Sequence, residues 1–458
     1  MSTQTLSSLH LSQNFITAFH QPPPLVLPWD RLWLLDFSSN MLQGSLLVPP
    51  PSIGIYNVAN NKLTGEIPLL ICNASSLWVL DLSYNNLSGI IPQCLGSFSD
   101  SLELLNLRNN KLHGPIPQTY NNGTQLRMIN LSQNQLQGPV PNSLVNCSLL
   151  KSFDLGNNQI DDVFPFWLGT LPELKVLILR FNRFHGVMWN PNSSFAFSKL
   201  HILDISHNGF ISFDYFHILT AMKTIDGDES TYIGRVVDNG FTNALTLTNK
   251  GVQIVYLYTL NIFTAIDLSS NRFEGEILES IGILKCLHML NLSNNHLIGQ
   301  IPSSLGNLTE IESLDLSQNK LSGEIPQQLS QLTFLAIFNV SFNHLRGPIP
   351  QGRQFDTFPN NSYEGNLGLC GDPLSKRCDN SDALQPPPLP SNFKQDDDHS
   401  WLAIDRSDWI VICMGYGGGL VAGLIIGHTL VARYHEWFVS TFGRSQKKQR
   451  TKKNGRRS

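Results

Sequence analysis

Apolar residues return along most of this chain in a fixed rhythm. In Leu77-Trp78-Val79-Leu80-Asp81-Leu82-Ser83-Tyr84-Asn85, Leu77, Leu80 and Leu82 share one side, while Asp81, Ser83 and Tyr84 take the other. The alternation across Leu80-Asp81-Leu82 predicts a short half-buried strand. An asparagine follows each such phrase. Asn85, Asn110, Asn134, Asn158 and Asn182 are 25, 24, 24 and 24 residues apart, and Asn271, Asn295, Asn319 and Asn343 are 24 apart. Asn14, Asn40, Asn61 and Asn208 complete thirteen rungs. A fixed period of this size means a stacked array in which each unit buries its apolar side on the next. An asparagine amide donates and accepts, so it can satisfy loop backbone in its own and the neighbouring unit. The rungs are therefore read as structural, with no ligand role.

A second phrase trails each rung: Gly65-Glu66-Ile67-Pro68, Gly89-Ile90-Ile91-Pro92, Gly114-Pro115-Ile116-Pro117. Glycine permits the turn, and proline fixes φ in extended chain that needs no N–H. These predict a flanking run of short strands. LxxLxLxxN at this period is the leucine-rich-repeat signature, and LxGxIP repeats of 24 residues resemble the plant extracellular class. The expected fold is an α/β-type solenoid, a right-handed superhelix with a concave parallel sheet, plus one C-terminal transmembrane helix. Such an array offers a long surface and no chemical pocket, which favours a binder over a catalyst.

Trp409–Ala432 is 24 residues without Asp, Glu, Lys or Arg. At about 1.5 Å per residue it spans a bilayer core of about 30 Å with some tilt. The basic tail, 433–458, sets its end in the cytosol and leaves the repeats outside. The rest of the chain holds 22 basic against 34 acidic residues, which argues against nucleic acid as a partner. Gly415, Gly419, Gly423 and Gly427 recur every fourth residue, a stripe on which a partner helix can approach closely. The tail has no kinase motifs. No paired carboxylates, triad, nucleotide loop or metal-spaced Cys/His set appears, so no enzyme activity, cofactor or metal is expected.

Ten Asn-x-Ser/Thr sequons suggest a glycosylated secreted surface. Asn73, Asn122, Asn192, Asn307 and Asn360 lie outside the strand phrase and are the preferred acceptors. Cys370 and Cys378 follow the last repeat and are read as a disulfide stapling a terminal cap. Cys72 and Cys94 hold equivalent places in adjacent repeats, and whether they bridge stays open. Cys147 and Cys286 read as free and buried.

The rungs divide the chain into repeats 1–208, an insertion 209–261, four repeats 262–350, a cap 351–378 and a Pro-rich acidic stalk 379–408. On the sheet, the residue after each repeat's first leucine reads Glu103, Arg127, Lys151, Lys175, His201, with Arg108 and Arg180 at outward positions nearby. This basic column on an acidic ectodomain is suited to an acidic peptide or anionic saccharide. Tyr84, Phe181 and Phe342 project as aromatic candidates.

Taken in order, the repeats, the insertion before the last four, NLGLCGDPL…C, the acidic stretch, the glycine-striped span and the short basic tail resemble plant leucine-rich-repeat receptor-like proteins. This group contains the tomato Cf-type resistance proteins. The resemblance implies a kinase-less surface receptor for microbial or peptide ligands in plant defence. It also implies signalling through an adaptor receptor kinase at the membrane helix and a co-receptor kinase at the last four repeats, Asn271 to Asn343. The family's insertion carries Tyr-x8-Lys-Gly; here Lys250-Gly251 match, and Phe241 stands in the tyrosine place. MSTQTLSSLHLSQNF begins mid-repeat, so the chain is expected to lack a leader and the N-terminal cap. The alternatives are a truncated non-signalling decoy, or a binder of secreted microbial enzymes.

Overall fold

The computed structural model describes residues 6–18, 26–97, 101–188, 196–212, 219–223, 232–233, 245–249, 252–256, 259–260 and 263–378, with backbone alone between 232 and 260. These belong to one compact unit, Met1–Ser381; a second unit, Asp382–Ser458, lies outside the described residues. The expected stalk (379–408), membrane span with its glycine stripe, and basic tail lie outside the described residues. Among the described residues no helix is long and apolar enough to cross a membrane.

Thirteen three-residue strands form one sheet in chain order. They are β1 Ser8–His10, β2 Leu34–Asp36, β3 Ile55–Asn57, β4 Val79–Asp81, β5 Leu104–Asn106, β6 Met128–Asn130, β7 Ser152–Asp154, β8 Val176–Ile178, β9 Ile202–Asp204, β10 Ala265–Asp267, β11 Met289–Asn291, β12 Ser313–Asp315 and β13 Ile337–Asn339. Every neighbouring pair is parallel, and equivalent residues align, as in Leu80 with Leu105, Leu105 with Ile129 and Ile129 with Phe153. These central side chains are buried and join one continuous core along the stack.

After each strand the chain bends through the residue before the rung, whose φ lies between 51° and 58° at all thirteen places. The rung then closes the turn. Asn85 Oδ1 accepts from Leu63 N of the previous repeat at 3.0 Å. Its Nδ2 donates to Val58 O of that repeat at 3.0 Å and to its own Leu82 O and Ser83 O at 3.2 and 3.1 Å. Asn158, Asn295 and Asn319 repeat this arrangement. Each amide thus ties two repeats, and leucine there would orphan buried backbone groups.

The flank carries short parallel pieces, among them Lys62–Glu66 between Gln43–Ser45 and Asn86–Ser88. The third side is built from 3-10 turns such as Leu69–Asn73, Ser303–Asn307 and Gln327–Gln331, each entered from a proline. The flanking strands were expected; the 3-10 turns were not. No α-helix occurs among the described residues, so the α/β label gives way to β and 3-10. About five residues per turn are too few to repay helix nucleation.

The insertion does not split the sheet. β9 pairs directly with β10, Ile202 opposite Ala265 and Leu203 opposite Ile266. Asn271 reaches back across the excursion to Phe210 N at 3.2 Å and Ile205 O at 3.1 Å. Gly209–Ser212 still pairs with His185–Val187, and Thr220–Met222 still forms its repeat's 3-10 turn with Met222 buried. Gly209–Ser212 and Leu219–Lys223 thus still obey the repeat's own packing.

A fourteenth rung closes the stack. Asn366 Oδ1 accepts from Leu345 N at 3.0 Å, and its Nδ2 donates to Val340 O at 2.9 Å and Tyr363 O at 3.0 Å. Phe338, Phe355, Phe358 and Tyr363 fill the end of the core. Cys370 and Cys378 are joined, with Cα atoms 5.1 Å apart, and so are Cys72 and Cys94, at 6.1 Å. Cys147 and Cys286 are buried.

Asn319 sits mid-ladder with buried partners on both sides, so Asn319→Ala is expected to lower unfolding free energy by about 1–3 kcal/mol. Urea unfolding followed by circular dichroism checks this. An unchanged midpoint would mean that solvent replaces the amide.

Candidate ligand-binding face

Because the middle residue of each strand points into the core, its two neighbours face outward and form columns along the sheet. The column just before the strands reads Trp33, Gly54, Trp78, Glu103, Arg127, Lys151, Lys175 and His201 from β2 to β9. Arg127, Lys151 and Lys175 therefore stand on successive repeats, about 4.8 Å per step. All three are half-buried along their stems. Arg127 Nε meets Glu103 Oε2 at 3.2 Å, which offsets part of its charge. Lys175 is pushed below the usual lysine range, first by burial and then by the like charge of Lys151. Burial likewise lowers His201, whose Nδ1 lies 2.6 Å from Lys199 O. Arg127, Lys151 and Lys175 thus place a cation on each of three successive repeats.

Arg108 and Arg180 do not belong to that surface. They are 6% and 3% exposed. Arg180 Nη1 meets Asp204 Oδ2 at 3.2 Å, with both side chains nearly sealed from solvent. The Arg108 guanidinium lies over the Tyr84 ring at 5.5 Å. Burial pushes Asp154 above the usual carboxylate range, opposed by the Gly156 N–H and by Arg180 and Arg108. The expected ligand grip at these two arginines is corrected accordingly: both are buried, Arg180 against Asp204 and Arg108 against the Tyr84 ring. The signal was present in the alternation of Asp154, Arg180 and Asp204 on neighbouring outward positions.

The same cluster holds an acid pair that the sequence reading did not single out. Asp267 follows Asp204 in register. Its carboxyl is raised to about 7, first by burial and then by the charge of Asp204. Ser269 N donates to Asp267 Oδ1 at 3.0 Å.

The aromatic candidates lie at the left-handed turn after the strand, not on the strand. Tyr84, Phe181 and Phe342 have φ of 52°, 51° and 55°. Tyr84 and Phe342 are 41% and 52% exposed. Phe181 is half-buried and stacks on His207 at 3.9 Å. Phe342 lies against the Gly365 backbone, where a Cβ would come within 2.7 Å of its ring. It packs on the cap, at the far end from the basic column.

Asn73, Asn122, Asn307 and Asn360 are exposed, whereas Asn130 is buried and accepts from Ser132. The exposed four lie on the 3-10 side or in the cap, away from the sheet face. Asn192 and the insertion residues Phe241, Lys250 and Gly251 lie outside the described residues. Among the described residues no His/Cys/Asp/Glu group has a metal-holding arrangement.

Family models described as leucine rich repeat match residues 100–160, and 76–98, 286–308 and 310–332. Receptor-like protein 53 of Arabidopsis thaliana is 40% identical over 98% of this chain and 49% of its own length. Receptor-like protein 7 of the same plant is 50% identical over 96% of this chain and 46% of its own. The chain thus spans about half the length of the curated relatives it matches. Among solved structures, the Arabidopsis receptor kinase HAESA, in complex with the peptide hormone IDA and the co-receptor SERK1, is 27% identical with a TM-score of 0.57. That match covers 81% of this chain and 63% of the other.

Two outcomes follow from the geometry. Arg180→Met is expected to cost about 3–5 kcal/mol of stability by leaving Asp204 buried and unpaired. Lys151→Ala is expected to stay within about 0.5 kcal/mol, as for a surface substitution. Equal losses in urea titrations of the two variants would contradict this division. The second concerns pH. Folding favours protonated Asp267, so its contribution is complete below the usual carboxylate range and is lost as pH climbs through about 7. Stability of Asp267→Asn, measured at intervals from about pH 4 to about pH 8, should therefore fall less steeply than that of the parent.

Proposed function

From the premise that the chain belongs to the plant leucine-rich-repeat receptor-like proteins, we propose that it is the recognition part of a kinase-less receptor at the cell surface. The observation that carries this reading is the unbroken thirteen-strand face with Arg127, Lys151 and Lys175 in register. A face of this kind recognises by many shallow contacts rather than by one pocket. The likeness to a receptor kinase ectodomain seen with a peptide hormone and a co-receptor supports an extracellular ligand and a kinase partner.

In this reading the ligand is a microbial elicitor or peptide met during plant defence. The repeats stand outside the cell, with Asn73, Asn122, Asn192, Asn307 and Asn360 as glycan acceptors. The span 409–432 crosses the plasma membrane once, and the stripe Gly415, Gly419, Gly423 and Gly427 docks the helix of an adaptor receptor kinase. The last four repeats, Asn271 to Asn343, meet a co-receptor kinase after ligand arrives, and the insertion with Phe241, Lys250 and Gly251 shapes that contact. No catalysis by the chain itself is required, since a partner supplies phosphoryl transfer.

The reading is tested by co-purification with receptor kinases from plant tissue before and after elicitation. The parent should recover a kinase, and Gly419→Ile with Gly423→Ile should lose it. Recovery of no kinase by the parent would favour the non-signalling alternative.

A further inference from the structure

The basic column continues at one end into two tryptophans. Trp33 and Trp78 occupy its places before β2 and β4, with Gly54 between them. Trp33 is 43% exposed. Trp78 packs over an outward-facing aliphatic row of Leu34, Ile55, Val79, Leu104 and Met128. Gly54 makes that placement available, because a Cβ there would stand 2.6 Å from Trp78 Nε1 and 2.9 Å from its Cδ1. The indole therefore lies across the vacant place in the column.

We propose that Trp33, Trp78, Arg127, Lys151 and Lys175 form one linear strip that docks an extended acidic peptide, its apolar end on the indoles and its carboxylates at the lysines. The proposal rests on the receptor reading and assigns the ligand class that this reading leaves open. Three physical points carry it. The first is order: the face is aromatic from β2 to β4 and cationic from β6 to β8, so a matching ligand is apolar at one end and acidic at the other. The second is charge. Arg127, Lys151 and Lys175 stand in consecutive repeats, so a carboxylate-bearing chain laid along the column meets a cation at each step. The third is accessible apolar surface. Trp33 is 43% exposed and Trp78 is half-buried. An indole face rewards contact with an aliphatic or aromatic side chain, which an acidic peptide can carry at one end and a polyanionic saccharide lacks.

Geometry sets the length. From Trp33 to Lys175 is six strand steps, about 29 Å. Extended peptide rises about 3.3 Å per residue, so about nine residues cover the strip. From Trp78 to Lys151 is three steps, about 14 Å, which separates the apolar residue from the first acidic one by about four positions.

The test is selection of a random nonapeptide library on the purified full-length chain, followed by anisotropy titration of the most enriched labelled peptide. The expected result is a hydrophobic residue near one end and Asp or Glu about four to six positions away. Lys151→Glu with Lys175→Glu should then weaken binding at least about tenfold, and Trp33→Ala by a similar factor. Both sites are surface positions, and unchanged melting curves show that the variants fold. Enrichment of basic peptides, acidic peptides whose binding ignores these substitutions, or displacement by an acidic oligosaccharide with no peptide retained would each overturn the proposal. This library result bears on the strip alone, whereas kinase co-purification bears on the receptor reading alone.

Discussion

Everything in this molecule depends on one side chain doing two jobs at once. A ladder asparagine accepts from the repeat before it and donates to both that repeat and its own, as at Asn85 and Asn319. No three-residue strand is stable alone, and no single repeat can cover its own leucines. The apolar core supplies the driving force, but it has no direction. The amides supply register. They fix where each turn closes, and hence where each outward column stands.

That constraint explains why the face is chemically legible. Register locks equivalent positions of successive repeats beside one another, so a column in the sequence becomes a column in space. Identity varies most in the column just before the strands, because the outward strand residues themselves are in part buried, as Leu34, Ile55, Val79, Leu104 and Met128 are beneath Trp78. The stack therefore separates stability from recognition. Where the separation fails, the reason is local. Arg108 and Arg180 sit on outward positions, yet both are buried, Arg180 against Asp204 at the end of the neighbouring strand and Arg108 against the Tyr84 ring. Their burial and the Asp204–Asp267 pair show that the centre of the face carries its own electrostatic structure.

Much of this was legible from residues alone. Period and alternation foretold the strands, their parallel order and the asparagine bonds. Gly-x-Ile-Pro foretold the flanking pieces. The convex side was not legible as 3-10, because residues 69–73 or 303–307 have no period of their own at that length. Asn366 was missed because its phrase, Tyr-Glu-Gly-Asn-Leu, reads as cap sequence and its spacing from Asn343 is 23 rather than 24. The outward arginines were misread because pattern gives direction but not cover. The Trp33–Gly54–Trp78 arrangement was hidden for a similar reason: the glycine breaks the column on paper and admits the indole in space. Gly209–Ser212 and Thr220–Met222 keep the repeat's bonds although the leucine spacing around them is irregular.

The central claim is that one ladder holds all repeats in register, including across the insertion between β9 and β10. Amide hydrogen exchange on the intact chain tests it most directly. The account predicts that amides of Ile202–Asp204 and Ala265–Asp267 exchange as slowly as those of Val79–Asp81, deep in the first block. Fast exchange confined to that junction would show two separate arrays and contradict the account.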